Sequence, residues 1–426
     1  ALMSQDPLAE LPWHLPKQPA TLTSRQITLI GAGIAGCTAA VALQKRGFKV
    51  SVVDRHSQAG AEGSGNAQAI VYPKLSPRDD ILPRVNLAAI KFCSDYYRPF
   101  WARGLGQQCG ILIVPNSAKK AADFALISQR FADQPEIVQS VANEQLQALS
   151  GITLNAQSAL YFPQLGWLPP ARLCRELLQA NNIPLIQADI HSLNHDDDNN
   201  LWELKGADGR TKLHSETVVI TSAFDCKKFA QSAFLPLRKI RGQITELPCT
   251  PESSQLKTVI CGGGYFTPAE NGTHSCGATY NKDIFTTELR EEDHRANIAQ
   301  IHATDPGLAA TLGQPLIETL KGRANYRCTT ADYLPIVGAL PNIPEMLEDY
   351  AILRRDAKTL LPTRGSCLPN LYVNCGMGSR GLSYAPLTAE ILATQIAGES
   401  PPIDDELLKA MHPARFVIRD LKRNRI

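Results

Sequence analysis

With 426 residues, 44% of them apolar and 20% charged, the chain is long enough for two or three domains and too apolar to be disordered. Its 43 Lys and Arg against 41 Asp and Glu leave a net charge of +2, which excludes a histone-like coat on nucleic acid: a polyanion must meet a local patch. Eleven cysteines, an odd number with no Cys-x-x-Cys pair, argue against a zinc site and a disulfide scaffold. No apolar run reaches the roughly 18 residues that span a bilayer, and residues 1–19 lack an export signal, so a soluble, cytoplasmic protein is expected, with no metal and no membrane partner.

In chain order, residues 1–24 carry Pro7, Pro12, Pro16 and Pro19 around Trp13 and read as an arm or linker. Residues 27–30 form a short β-branched strand, Gly31 to Gly36 a glycine turn, 37–46 an Ala-rich helix closed by Gly47, and 49–53 a second strand ending at Asp54. Small residues at 61–66 predict a loop, and the periodicity of 82–103 predicts a helix. A helix over 173–181 and a strand over 183–190, ending at Ile190, follow; 201–204 and 211–220 read as two strands about a turn at 207–210. From residue 237 β signals dominate, at 240–247, 265–267 and 274–279, with Asn271-Gly272 as a hairpin turn. A strand at 371–374, a loop over 375–382, a helix over 387–396 and a basic terminal helix complete the chain.

Gly31-x-Gly33-x-x-Gly36 is a weak signal alone, but here a strand precedes it and a helix follows. Gly31 permits the tight turn, Gly33 admits a pyrophosphate to the backbone, and Gly36 lets helix and strand close up. Asp54 follows Gly36 by 18 residues, where a carboxylate accepts both ribose hydroxyls and repels a 2′-phosphate. The alternative is a plain strand-turn-helix with an incidental Asp. NAD and FAD share the fingerprint. Ser64, Gly65 and Asn66 in the following loop, and Gly378, Ser379, Arg380, Gly381 and Leu382 before a late helix, suit a flavin, whose reduced anion a helix amino terminus stabilises; a glycine turn or a helix cap explains either stretch equally well.

Together, residues 31–54, 63–73 (GSGNAQAIVYP), 327–338 (RCTTADYLPIVG) and 378–386 (GSRGLSYAP) resemble the glycine oxidase and D-amino acid oxidase superfamily of flavoproteins. Within it, the wording is closest to the oxidoreductase half of the bifunctional proteins of tRNA 5-methylaminomethyl-2-thiouridine biosynthesis, from about residue 26 to 423. The resemblance implies an α/β fold, a Rossmann-like FAD-binding domain with an inserted antiparallel-sheet substrate domain. The expected boundaries are 25–80, 150–235 and 325–400 for the FAD-binding part, 81–149 and 236–324 for the substrate part, and 401–426 for the basic terminal helix. FAD is the expected cofactor, held by Gly31, Gly33, Gly36, Asp54, Ser64, Gly65, Asn66, Ile190 and residues 378–382.

The implied reaction oxidises the carboxymethylaminomethyl group of a tRNA wobble uridine, releasing glyoxylate and leaving an aminomethyl group. A fixed Arg gripping the carboxylate by two parallel hydrogen bonds would aim the carbon to be oxidised, and by resemblance this is Arg327; a surface salt bridge is the alternative. Arg380 is a second cation near the substrate or a loop brace, Tyr265 a pocket hydroxyl or packing, and Lys74 an aid to oxygen or a solvated lysine. His56, His274 and His412 are candidate bases, although a buried, neutral amine makes a base optional. The tRNA anticodon loop would meet Arg415, Arg419, Lys422 and Arg423, on one face of the last helix, unless that is simply a solvated basic end; Arg238, Lys239 and Arg241 form a second such cluster. The resemblance implies a methyltransferase half fused in front, which residues 1–25 do not supply, so the chain is expected to be either an excised domain with its linker or a standalone form, in both cases without methyl transfer. Two rival readings remain: an oxidase of free glycine, sarcosine or another small amino acid, and a flavin-containing RNA-binding module without turnover.

Overall fold

The computed structural model describes residues 12–17 and 23–426; the rest of the expected arm lies outside the described residues. Two sheets organise the chain. The first has six strands in the order Ile336–Pro341, Cys367–Cys375, Thr217–Ile220, Gln26–Ile30, Lys49–Asp54 and Leu185–Gln187. All its pairings are parallel except that of Ile336–Pro341 with Cys367–Cys375. Parallel strands need both faces covered, and their sequences are accordingly almost continuously apolar. On one face Ile27, Leu29, Val50, Val52 and Val219 pack against the helices Ile34–Gln44, Ile81–Ala102 and Gly381–Ala397. On the other, Ile30, Val53, Val218 and Ile220 meet Leu193, Trp202 and Leu204 of a three-stranded antiparallel meander.

The second sheet has eight strands in the order Lys321–Thr329, Arg238–Pro248, Thr273–Gly277, Tyr265–Phe266, Val259–Cys261, Ile111–Ile113, Ser158–Phe162 and Gln139–Ala142. It is antiparallel but for one pair, Val259–Cys261 with Ile111–Ile113. Ser158–Phe162 pairs within this sheet, so the β layer takes chain from beyond the expected boundary at 150. Lys321–Thr329 likewise runs through the expected boundary at 325. The hairpin turn is as the sequence predicts, with Asn271 at φ 51° and Gly272 at φ 78°, the two left-handed residues of a type I′ turn.

Two elements differ from expectation for local reasons. The strand predicted over 211–220 is two strands, Thr211–Ser215 in the meander and Thr217–Ile220 in the parallel sheet. Glu216 separates them, and its carboxylate accepts four hydrogen bonds from the backbone and hydroxyls of Thr23 and Ser24. The late helix begins at Gly381 rather than 387 and runs through Pro386. Proline removes the N–H that would bond the carbonyl of Leu382, and that carbonyl instead accepts from Tyr97 Oη at 2.8 Å. Of the arm, Trp13 is buried against Met346, Tyr350, Val417 and Leu421, and Pro16 bridges Gly365.

Candidate active site

The carboxyl ends of the parallel strands open onto a cleft of about 680 Å³ between the two sheets. Gly31, Asp54, Thr221 and Gly376, each at or just beyond the last residue of a strand, line it, the usual place for a ligand in such a sheet. The amino termini of Ile34–Gln44 and Gly381–Ala397 also converge there, through Gly33, Ile34 and Ala35 and through Ser379, Gly381 and Leu382. Neither N-cap residue, Gly33 or Arg380, caps its helix with a side chain. First-turn N–H groups and two positive dipole ends are therefore presented to the cleft, which suits an anionic, elongated ligand.

The glycine turn works as its spacing implies. Gly31 takes φ +115°, and a Cβ there would stand 2.9 Å from the carbonyl oxygen of Thr221. A Cβ on Gly36 would lie 1.9 Å from the carbonyl oxygen of Gly31, so Gly36 closes helix onto turn without lining the cleft. Asp54 Oδ2 accepts from Ala32 N–H at 2.7 Å and Oδ1 from His56 N–H at 2.8 Å. Two amides thus hold the carboxylate at the cleft wall, each oxygen keeping a lone pair for a hydroxyl. Ser64 Oγ accepts from Ile34 N–H at 3.0 Å, tying the small-residue loop to the helix start. Ser64, Asn66, Ile190 and Gly378 line the cleft; Gly65 does not, because Arg323 lies over it. Arg323 donates to the carbonyl of Ala61 at 2.5 Å and so straps the loop down. Sequence reasoning missed it; its signal is the four-residue spacing from Arg327, which puts both on one face of a strand.

Arg327 lines the other end of the cleft. The residue is half-buried; its guanidinium donates from Nη1 to the carbonyl of Thr279 at 2.8 Å and makes no ion pair among the described residues. Burial lowers its pKa, opposed by Tyr265 and Tyr280. Two arginines more withdrawn from solvent differ: Arg241 pairs with Asp293 at 2.5 Å, and Arg415 with Asp332 at 3.0 Å. Room for Arg327 comes from Gly242, where a Cβ would stand 2.5 Å from the guanidinium. The sequence reading did not single out Gly242, because a glycine inside a strand has no signature of its own.

Tyr265 and Arg380 stand beside the cleft wall, not in it. Burial pushes the Tyr265 phenol up, Cys276 adding to the shift and Arg327 opposing it. Arg380 donates to Tyr384 Oη at 2.9 Å, and Tyr384 donates in turn to Asn86 Oδ1 at 2.5 Å, so the guanidinium is held. Tyr72, also missed although it closes the GSGNAQAIVYP run, is near enough to Arg380 to feel its charge, and burial pushes its phenol up to about 12.

Of the candidate bases, His56 lines the cleft beside Asp54, whereas His274 and His412 lie outside it. His56 faces Glu62 at 3.0 Å. His274 is buried between the carbonyl of Thr267 and Ser253 Oγ, and burial lowers its pKa. His412 packs against Gly338 and Trp13, and burial, with His14 and Arg415 adding to it, pushes its pKa down to about 3. A histidine buried neutral contributes stability in full above its unfolded pKa of about 6.5 and loses it as the pH falls toward the folded value. Between about pH 6.5 and about pH 5 this one group should cost about 2 kcal/mol. We therefore expect His412→Gln to flatten the acid limb of a urea-midpoint titration by that amount; an unchanged limb would exclude His412 as its source.

Both proposed basic surfaces are also corrected. Arg241 is fully buried, donating to the carbonyls of Thr286 and Glu288 as well as to Asp293, and is structural. Arg415 turns inward to Asp332 and the carbonyl of Leu334, and Arg419 pairs with Asp420, leaving Lys422 and Arg423 exposed. Lys239 lies over the Tyr326 ring at 4.0 Å, while Arg238 is exposed. Among the described residues no helix is long and apolar enough to cross a membrane, and no cluster suits a metal.

The family model described as FAD dependent oxidoreductase matches residues 26–395. The tRNA 5-methylaminomethyl-2-thiouridine biosynthesis bifunctional protein MnmC of Stutzerimonas stutzeri is 35% identical over 418 residues, 98% of this chain and 62% of that protein. The protein of the same name from Chromobacterium violaceum is 35% identical over 420 residues, 98% of this chain and 63% of its own length. The chain thus spans less than two thirds of these relatives. Among solved structures, glycine oxidase from Geobacillus kaustophilus superposes with a TM-score of 0.69 at 17% identity, covering 89% of this chain and 96% of that one. Iminodiacetate oxidase from Chelativorans gives 0.69 at 19%, covering 91% and 98%, and shows the same fold. A glycine turn that admits a pyrophosphate, an amide-held acid at the second strand end and two converging helix termini fit a flavin dinucleotide, and with the match over residues 26–395 they place the chain in the FAD dependent oxidoreductase family.

Proposed function

We propose that the chain oxidises the carboxymethylaminomethyl substituent of a tRNA wobble uridine, removing the carboxymethyl group as glyoxylate and leaving the aminomethyl group. The observation that carries this is Arg327, a half-buried guanidinium in the cleft wall with no acidic partner among the described residues. A charge partly withdrawn from water with no partner is costly, and a ligand carboxylate offsets that cost. The relatives' name supplies the tRNA.

Gly31, Gly33, Asp54, Ser64 and the 378–382 loop would hold FAD, which when bound supplies a two-electron acceptor. The chain's own residues set up the substrate. Arg327 takes the carboxylate with the nitrogens that Thr279 leaves free, and Tyr265, beside the cleft wall with its phenol kept protonated by burial, stands behind that arginine. Arg380, held by Tyr384, supplies a second positive charge beside the cleft. These cations and the low local dielectric favour a neutral substrate amine, the form from which a C–H bond is oxidised, so no side-chain base is required. Water then hydrolyses the imine product.

The test is anaerobic mixing of the FAD-loaded chain with tRNA bearing the modified uridine. Bleaching of the flavin, with one glyoxylate released per aminomethyl group formed, is the expected result. Bleaching by glycine or sarcosine and not by that tRNA would point to a small amino acid oxidase; a flavin that no substrate bleaches would sink both.

A further inference from the structure

The cations outside the cleft are not distributed as a free amino acid would need. Such a substrate has one carboxylate, and Arg327 is placed to meet it. Arg380 stands between Ser379 and Gly381, both in the cleft wall. Lys74 is exposed and follows Tyr72, whose carbonyl accepts from Ser383 Oγ at 3.0 Å, so this segment is tied to the same helix start. Lys119 and Lys120 are exposed in the first turn of the helix Ala118–Arg130, which has no acid there. Two lysines at the positive end of a helix dipole oppose local stability and call for another reason. None of these four cations makes an ion pair among the described residues, whereas Arg130, at the other end of that helix, pairs with Asp79. Arg380 and Lys120 both lie within electrostatic reach of Lys74.

We propose that Lys74, Lys119, Lys120 and Arg380 form a rim on which the sugar–phosphate backbone of an RNA loop lands, presenting its target base to the cleft. This rests on the tRNA reading above. Clustered cations of like charge gain by neutralising phosphates and releasing their counterions. RNA is favoured over an acidic peptide by exposed rings nearby: Tyr280, 47% exposed, acts on the charge of Arg327, and Phe285, 75% exposed, lies two residues before Thr287 of the cleft wall. Unstacked bases lie on such rings. The terminal helix is the weaker surface, because Arg415 and Arg419 are already paired.

The experiment measures binding of unmodified tRNA transcript to the FAD-loaded full chain by fluorescence anisotropy across a salt series. The double variant Lys119→Glu/Lys120→Glu should weaken binding at least about tenfold and flatten the salt slope by roughly 1–2, with flavin content and thermal midpoint unchanged. Lys422→Glu/Arg423→Glu should bind within about twofold of the parent. The rim is overturned if the parent chain binds no tRNA, if the lysine pair binds as the parent does, or if the terminal pair carries the loss. Competition by polyglutamate as strong as by RNA would overturn the choice of RNA. Binding that depends on the rim without glyoxylate release from modified tRNA would sink the reaction and leave the rim standing; glyoxylate release insensitive to the rim would do the reverse.

Discussion

Arg327→Met is expected to abolish turnover while leaving FAD bound and the fold intact. Truncating one partner of a buried, hydrogen-bonded charge pair costs about 2–5 kcal/mol, or roughly 30- to several-thousand-fold in kcat/KM. Much of that belongs in kcat, because a carboxylate held by one fork fixes where the reacting carbon sits. Arg327→Lys should recover only part, since an ammonium is a point charge without the planar fork. The stability change should run the other way. Without ligand the half-buried guanidinium has only the carbonyl of Thr279 as a partner, so Met at 327 removes a charge that no acid compensates. Its thermal midpoint should be no lower than the parent's. A variant that loses activity and midpoint together would make Arg327 a structural residue; one that keeps turnover would remove the carboxylate grip.

How much of this was legible in the sequence depends on how local the cause is. The glycine turn and Asp54 were readable because each role is set by neighbours within about 25 residues, and the amides on Asp54 come from Ala32 and His56. The 378–382 loop offered a glycine-rich start to a late helix that a plain helix cap explained equally well, and Arg327 was singled out only through resemblance, since nothing local marks one arginine among the 43 basic residues as unpaired. The roles of Arg241 and Arg415 were misjudged for the same reason. Their acids, Asp293 and Asp332, lie 52 and 83 residues away, and a basic cluster in sequence is no guide to which cations the fold consumes. The start of the late helix was hidden by Pro386, whose missing N–H is compensated by Tyr97 from 285 residues off.

Gly242→Ala should be nearly as damaging as loss of the arginine, although it removes no functional atom. Gly242 pairs with Asn325 across the ladder, and the Arg327 side chain two residues on lies over it. A methyl group there would meet Cζ, Nη1 and Nη2 at 2.5 Å, well inside contact distance. The clash is with the far end of a side chain, so the strand survives and the guanidinium moves. Moving it breaks the bond to Thr279 and displaces the carboxylate grip by on the order of 1 Å, a misplacement that costs about a hundredfold in rate. The expected result is a folded, yellow protein with a normal midpoint and kcat/KM down about a hundredfold. Combining Gly242→Ala with Arg327→Met should add little, because both act through one group. Additive losses, or loss of FAD from the single variant, would show that Gly242 serves the strand or the cofactor rather than the space for Arg327.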